Sequence, residues 1–281
     1  RDVVSWNAII KSYAQHGYRY EALQWFSQMQ LEDMKPSAIS YVCALNAAAG
    51  LTAFVEGEKI FSDIVKNEHW YNVVVGNAIL DMYSKCCSIE DARKVFDLMH
   101  NRDITSWNAM ISVYIEQGNG EKALLMYKQM QLECPNPEQR TLLFALQACT
   151  MLAEKAEGFC MEGCTKNSIS LEIGQAIHFD ARVKAFELNI FTNTALLSLY
   201  GKCGALTEAE AIFITLSGHD EIAWNALMSA YIEQGQGQKV LRLYRQMHKE
   251  GPIPGQVGNM LALQACCIMR DEEENCVVYQ E

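Results

Sequence analysis

Apolar residues along the chain recur four and three apart, and polar residues fill the positions between them. Trp6, Ile10 and Tyr13 share one face of a first helix, and Gly17 follows where a left-handed stop is needed. Ala22, Phe26 and Met29 mark the apolar stripe of a second helix, which must end before Pro36. That second stripe returns as Ala123, Tyr127 and Met130, then as Val240, Tyr244 and Met247. Ala, Leu, Gln, Glu and Met dominate these stretches and β-branched alternation is scarce, so the pattern predicts paired helices without strands.

The helix pairs are themselves periodic. Trp6-Asn7-Ala8 returns as Trp107-Asn108-Ala109 and Trp224-Asn225-Ala226, at offsets of 101 and 117 residues, and Pro36, Pro137 and Pro254 step by the same offsets. Asn77-Ala78 echoes Asn7-Ala8 at a distance of 70 with Asn108 another 31 beyond, and Thr194-Ala195 stands 31 before Asn225. The longer offset is therefore the basic one with 16 residues inserted. Ala44-Leu45 matches Ala145-Leu146 before the insertion, and Gly57 and Ile60 match Gly174 and Ile177 after it, which places it at about 147–171. The division that follows is 3–37, 38–72, 73–103, 104–138, 139–189, 190–220, 221–255 and a partial unit 256–281.

Units of this size cannot bury their apolar faces alone and must stack. The expected fold is all-α, a right-handed α-solenoid superhelix of tandem helix-turn-helix repeats over 1–281. The chain opens at a unit boundary and stops inside a unit, so it reads as a fragment of a longer array. Any targeting segment would then lie outside it.

Composition narrows the possibilities. Half the residues are hydrophobic, yet no run approaches the ~18 apolar residues of a membrane span, so no membrane partner is expected. The eleven cysteines form no Cys-x-x-Cys, which favours small core residues in a reducing compartment over a disulfide framework. Cys160 and Cys164, with Cys149 and His178 around them, are spaced too loosely for a zinc site, and a loop is the simpler reading. A zinc-dependent nucleobase deaminase needs a His-x-Glu and a Cys-x-x-Cys element, and neither is expected here, with His178-Phe179-Asp180 the nearest approach to the first. Phosphate-binding glycine loops and hydrolase elbows are missing too, and the chain reads as non-enzymatic with no cofactor.

Trp-Asn-Ala with Tyr seven residues after the Trp, then Glu-Ala-Leu or Lys-Ala-Leu, a Gln-Met pair and a late Pro, resembles the pentatricopeptide repeat. Gly76 to Cys86, continuing as Asp91-Ala92-Arg93-Lys94-Val95-Phe96-Asp97, is similar to the short S repeat of the plant-type arrays that alternate P, L and S repeats, and Thr194 to Gly204 repeats it. The resemblance implies units of type P (3–37, 104–138, 221–255), L (38–72, 139–189, partial 256–281) and S (73–103, 190–220).

It also implies binding of single-stranded RNA, one base per repeat, with the fifth and last residues of each P or S unit choosing the base. The pairs are Asn7 with Ser37, Asn77 with Asp103, Asn108 with Glu138, Thr194 with Asp220 and Asn225 with Gly255. By the family's code an amide in the fifth slot favours a pyrimidine and a hydroxyl a purine. Asn7 with Ser37 leans to cytosine, Asn77 with Asp103 to uracil and Thr194 with Asp220 to guanine. Glu138 and Gly255 depart from the usual last residue and leave only a pyrimidine preference. Val42 and Leu143 occupy the fifth slot of L units and cannot hydrogen-bond a base edge. Val4, Val74, Thr105, Phe191 and Ile222, three residues before each fifth slot, are expected to wedge between bases.

The residues partly support this without the family. Asn7, Asn108 and Asn225 follow a buried Trp, so a turn of about 100° per residue points them off the seam. Lys11, Ser112 and Ser229 follow at i+4. A polar residue repeated in register suits an extended polymer with a repeating chemical edge. A single Trp-Asn pair could equally be packing beside a capping amide, but five stations with Asn or Thr favour the ladder.

The net charge of −11 runs against the basic footprint usual for nucleic-acid binders, which leaves a local field along the groove as the requirement. Lys11, Lys85, Lys128 and Lys202 are the candidate phosphate contacts. The rival reading is a tetratricopeptide-like protein-interaction scaffold. Ile10, Ile111 and Met228 stand where that family wants a small Gly, and its strict 34-residue period is absent. By resemblance such arrays act in mitochondria or chloroplasts, where they guide C-to-U RNA editing or other transcript processing, with a deaminase domain in cis or in trans as partner.

Overall fold

The computed structural model describes residues 2–67, 69–133, 136–156, 166–184, 190–216 and 218–278. Among these residues there are fifteen α-helices, one 3₁₀ turn at His69–Tyr71 and no strand. Residues 1–117 with 126–136 form one compact unit, and residues 118–125 with 137–281 form another. The first holds α1 (Val3–Gln15), α2 (Arg19–Leu31), α3 (Ala38–Leu51), α4 (Phe54–Lys66), α5 (Val73–Lys85), α6 (Ile89–Leu98) and α7 (Ile104–Glu116). Helix α8 (Gly120–Glu133) contributes to both. The second holds α9 (Gln139–Ala156), α10 (Lys166–Val183), α11 (Ile190–Lys202), α12 (Leu206–Thr215), α13 (Glu221–Glu233), α14 (Gly237–Glu250) and α15 (Gln256–Val278).

Each unit has the same internal logic. In the first, α1, α3, α5 and α7 pack on one another in succession, and α2, α4 and α6 each lie against two of them. In the second, α9, α11, α13 and α15 form the succession, with α10, α12 and α14 against it. This is an all-α repeat solenoid, and its odd-numbered helices carry the residues of interest below.

The seam is apolar, as the spacing predicts. Trp6, Ile10, Ala22, Phe26 and Met29 are buried together with Trp107 and Trp224. Truncating either interior Trp would cost about 3–5 kcal/mol. Tyr13 departs from expectation: it stays exposed, its ring edge-on to Tyr18 and tilted against Trp25, whereas Tyr114 and Tyr231 are buried.

Helix stops show how far glycine can be replaced. Gly17 adopts φ 85° after α1, the left-handed stop that the sequence indicates. The corresponding turns after α3 and α5 use Thr52 (φ 52°) and Cys87 (φ 59°), where a side chain bears the strain. The expected insertion is partly helical. Helix α9 continues to Ala156 and α10 starts at Lys166, while Cys160 and Cys164 lie outside the described residues. Helix α15 runs unbroken over Gln256–Val278 of the expected partial unit.

Cysteine usage is mixed. Cys43 and Cys149 are buried, and burial pushes the Cys149 thiol up to about 12. Cys86 and Cys203 are half-buried, and Cys87, Cys266 and Cys267 are exposed. Core packing thus explains only part of the set. No described helix is long and apolar enough to cross a membrane.

Candidate nucleic-acid interface

The expected last-slot residues sit at helix starts, and chemistry explains why. Ser37, Asp103 and Asp220 have extended backbones and cap α3, α7 and α13, each accepting a backbone N–H of the first turn through its side chain. In α3 and α7 the third helical residue, Ser40 or Ser106, returns the bond to the cap backbone and closes a capping box.

The fifth-slot amides reach these caps. Asn7 Nδ2 donates to Ser37 Oγ at 3.0 Å, and Ser40 Oγ donates to Asn7 Oδ1 at 2.5 Å. Asn77 Nδ2 donates to Asp103 Oδ1 at 3.1 Å, and Ser106 Oγ donates to Asn77 Oδ1 at 2.6 Å. Two residues 30 or 26 apart in sequence are thereby joined in one half-exposed polar cluster. Burial pushes the Asp103 carboxyl up, but bonds from the Ser106 N–H and the Asn77 amide outweigh it and hold the group below its ordinary range.

The other pairs differ. Thr194 turns its hydroxyl back to Ile190 O at 2.7 Å, while Asp220 caps α13 through the Ala223 N–H at 2.8 Å. Asn225 has a buried Oδ1 with no hydrogen-bond partner, and Gly255 has no side chain to offer it. The Gly255 N–H instead donates to Glu221 Oε1 at 3.1 Å. Asn108 is only 7% exposed with Oδ1 also unpartnered, so the expectation that its amide faces outward meets a buried side chain, and Glu138 is exposed.

The wedge residues are open. Val4, Val74, Phe191 and Ile222 are 74%, 57%, 67% and 62% exposed, and Thr105 is exposed. Each stands at the second position of its helix. Ile39, Arg140 and Val257, at the same register in the remaining helices, are exposed as well and were missed by reasoning confined to P and S units. Their position two residues into a helix was the available signal. In the first compact unit a cleft of about 610 Å³ is lined by Lys11, Arg19, Ile39, Val42, Asn46 and Val74. It gathers an expected wedge residue, an apolar fifth-slot residue and an expected phosphate contact.

The remaining lysines are less free. Lys85 pairs with Asp81 at 2.6 Å, and Lys202 pairs with Glu233 at 2.5 Å. Lys128 is exposed, while Ser112 and Ser229 hydrogen-bond Glu116 and Glu233 in their own helices. Two stretches, His219-Asp220-Glu221 and His248-Lys249-Glu250, do spell His-x-Glu. The His219 ring lies on Phe213 with Nε2 2.8 Å from Phe213 O, and Glu221 is occupied by Gly255. No cluster of metal-binding side chains occurs among the described residues.

Comparison with known proteins agrees with this pattern. A model described as "PPR repeat family" matches residues 1–50, and a model described as "PPR repeat" matches 77–104, 105–134, 194–218 and 222–252. Three pentatricopeptide repeat-containing proteins of Arabidopsis thaliana are similar along the chain. One is 31% identical over 95% of this chain and 34% of its own length. A second, named as chloroplastic, is 31% identical over 90% and 29%, and a third, named as mitochondrial, is 30% identical over 95% and 40%. The chain spans about a third of the length of the relatives it matches. Among solved structures, the pentatricopeptide repeat protein PPR10 from maize aligns at TM-score 0.43 with 18% identity, covering 94% of this chain and 47% of that one. The same protein in complex with an 18-nt psaJ RNA element aligns at TM-score 0.42 with 16% identity, covering 99% and 53%.

Proposed function

The chain belongs to the pentatricopeptide repeat family, and from that premise we propose that it binds single-stranded RNA and reads one base through each of its P and S units. The observation that carries the reading is the direct bond between fifth-slot amide and last-slot cap in Asn7–Ser37 and Asn77–Asp103, because a base reader built from two side chains needs both at one place. The exposed Val4, Val74, Phe191 and Ile222 supply apolar surface against base faces, and Ile39 with Val42 and Val74 extends it along the cleft.

In this reading 3–37, 104–138 and 221–255 are P units, 73–103 and 190–220 are S units, and the others are L units. The base order leans to cytosine at Asn7, uracil at Asn77 and guanine at Thr194, with pyrimidines at Asn108 and Asn225. The chain acts as a guide segment within a longer protein of mitochondria or chloroplasts, has no catalytic residues of its own, and directs C-to-U editing or another processing step carried out by a deaminase domain in cis or in trans. Two relatives named for those organelles support the location.

Selection from a random single-stranded RNA pool, followed by sequencing, tests the reading. Asn77→Thr is expected to move one base from pyrimidine towards purine by ~1–3 kcal/mol, the scale of a good base contact. A chain that enriches no motif, or an Asn77→Thr variant with the parent's preferences at every base, would overturn it.

A further inference from the structure

Resting on the RNA-binding reading above, we propose that Ser106 and Ser40, each the third residue of the helix that the amide's last-slot partner caps, are positioning residues that fix the plane of Asn77 and Asn7 and thereby set base selectivity. Both serines are fully buried and out of a ligand's reach, so beyond closing the capping boxes of α3 and α7 they can affect a base only through the amide. At Asn77 the geometry is determined by chemistry. A carboxylate only accepts, so the amide nitrogen must face Asp103, and the amide oxygen is left to the Ser106 hydroxyl. Ser106 Oγ is itself held by the Asp103 N–H at 3.3 Å.

Asp103 Oδ1 and Ser106 Oγ are 2.9 Å apart, so this two-point hold takes the amide edge on which N–H and C=O lie side by side and leaves one N–H and one lone pair directed to opposite sides of a fixed plane. Those two groups must be placed sharply, because uracil presents an O4 acceptor where cytosine presents an N4 donor. With one point of the hold removed, the amide plane can swing about the remaining bond and donor and acceptor no longer have fixed places. Asn225 shows the unheld case. Gly255 and Gly258 stand at its last and third stations, and its buried Oδ1 has no partner. A Cβ at Gly258 would lie 3.1 Å from that oxygen, close enough for a serine there to supply the missing hydroxyl after a small shift.

The test is the preference ratio at each base, read by sequencing a random single-stranded RNA pool enriched on the 281-residue chain, with thermal melting alongside. Ser106→Ala is expected to lower the ratio at the base facing Asn77 roughly three- to tenfold, the scale of one net hydrogen bond, with the other bases unchanged. Ser106→Thr keeps the hydroxyl and should restore it. Gly258→Ser should raise the ratio at the base facing Asn225. An unchanged ratio in Ser106→Ala, or a loss spread evenly over all bases with a lowered Tm, would overturn the inference while the RNA reading stands. If Ser106→Ala does not fold, absence of any gain in Gly258→Ser overturns it alone. A parent chain that enriches no motif removes both.

Discussion

At the scale of single residues, the helix cap and the proposed base reader are the same side chain, and that coupling limits what can be exchanged. Asp103 caps α7 and binds Asn77, so Asp103→Ala should cost about 1 kcal/mol in urea unfolding, whereas Asp103→Asn, which can still cap, should stay within about 0.5 kcal/mol of the parent. The same group predicts an acid response. Its carboxyl titrates lower in the folded chain than in the unfolded one, so its contribution is complete above the ordinary value and disappears as pH falls through the depressed one. Stability should therefore drop below about pH 4, and Asp103→Asn should lose less on going from pH 5 to pH 3 than the parent does. A parent and variant with parallel curves would contradict this. The last-slot positions came from the family resemblance, and the capping of α3, α7 and α13 by three of them is seen only in the structure. Their bonds to an amide 30 or 26 residues earlier were not legible in the sequence, because they depend on how neighbouring helices stack. The burial of Asn108 beside its half-exposed counterparts Asn7 and Asn77 was likewise invisible, since all three follow or replace the same local motif.

At the scale of the element, helix starts and stops follow local chemistry closely. Apolar spacing of three and four, Gly17, and prolines after the second helices were enough to anticipate paired helices. What escaped was any stop without glycine. Thr52 and Cys87 hold left-handed backbones that nothing in their side chains advertises. The extensions of α9 and α10 into the insertion escaped as well, because periodicity there has no partner repeat to be compared with. Cys87 gives a clean test, being exposed with φ 59°. A left-handed L-residue costs roughly 1–2 kcal/mol, part of which glycine returns by loosening the unfolded chain, so Cys87→Gly should stabilise the protein by about 1 kcal/mol. Denaturant melts of the two chains decide it, and a destabilised variant would show that the thiol makes contacts outweighing the strain.

At the scale of the whole molecule, the proposed binding of a polyanion by a chain of net charge −11 requires local groups. The lysines are not equivalent in this respect. Lys85 and Lys202 already face Asp81 and Glu233, and a phosphate would have to displace a carboxylate to use them. Lys11 instead lines the cleft that also holds Ile39, Val42 and Val74. For single strands each phosphate contact contributes about −0.7 to the slope of log K against log salt. Few contacts should therefore give a shallow slope, with much of the affinity surviving at raised salt through stacking on exposed apolar residues. Lys11→Ala is expected to make the slope shallower by about 0.7 in a titration of the chain with unstructured RNA, while Lys85→Ala leaves it within about 0.2. Equal effects of the two substitutions would mean that the general field of the protein, and no particular cleft, attracts the strand. An effect of Lys85→Ala alone would place the phosphate path beside Asp81, away from Val42 and Val74.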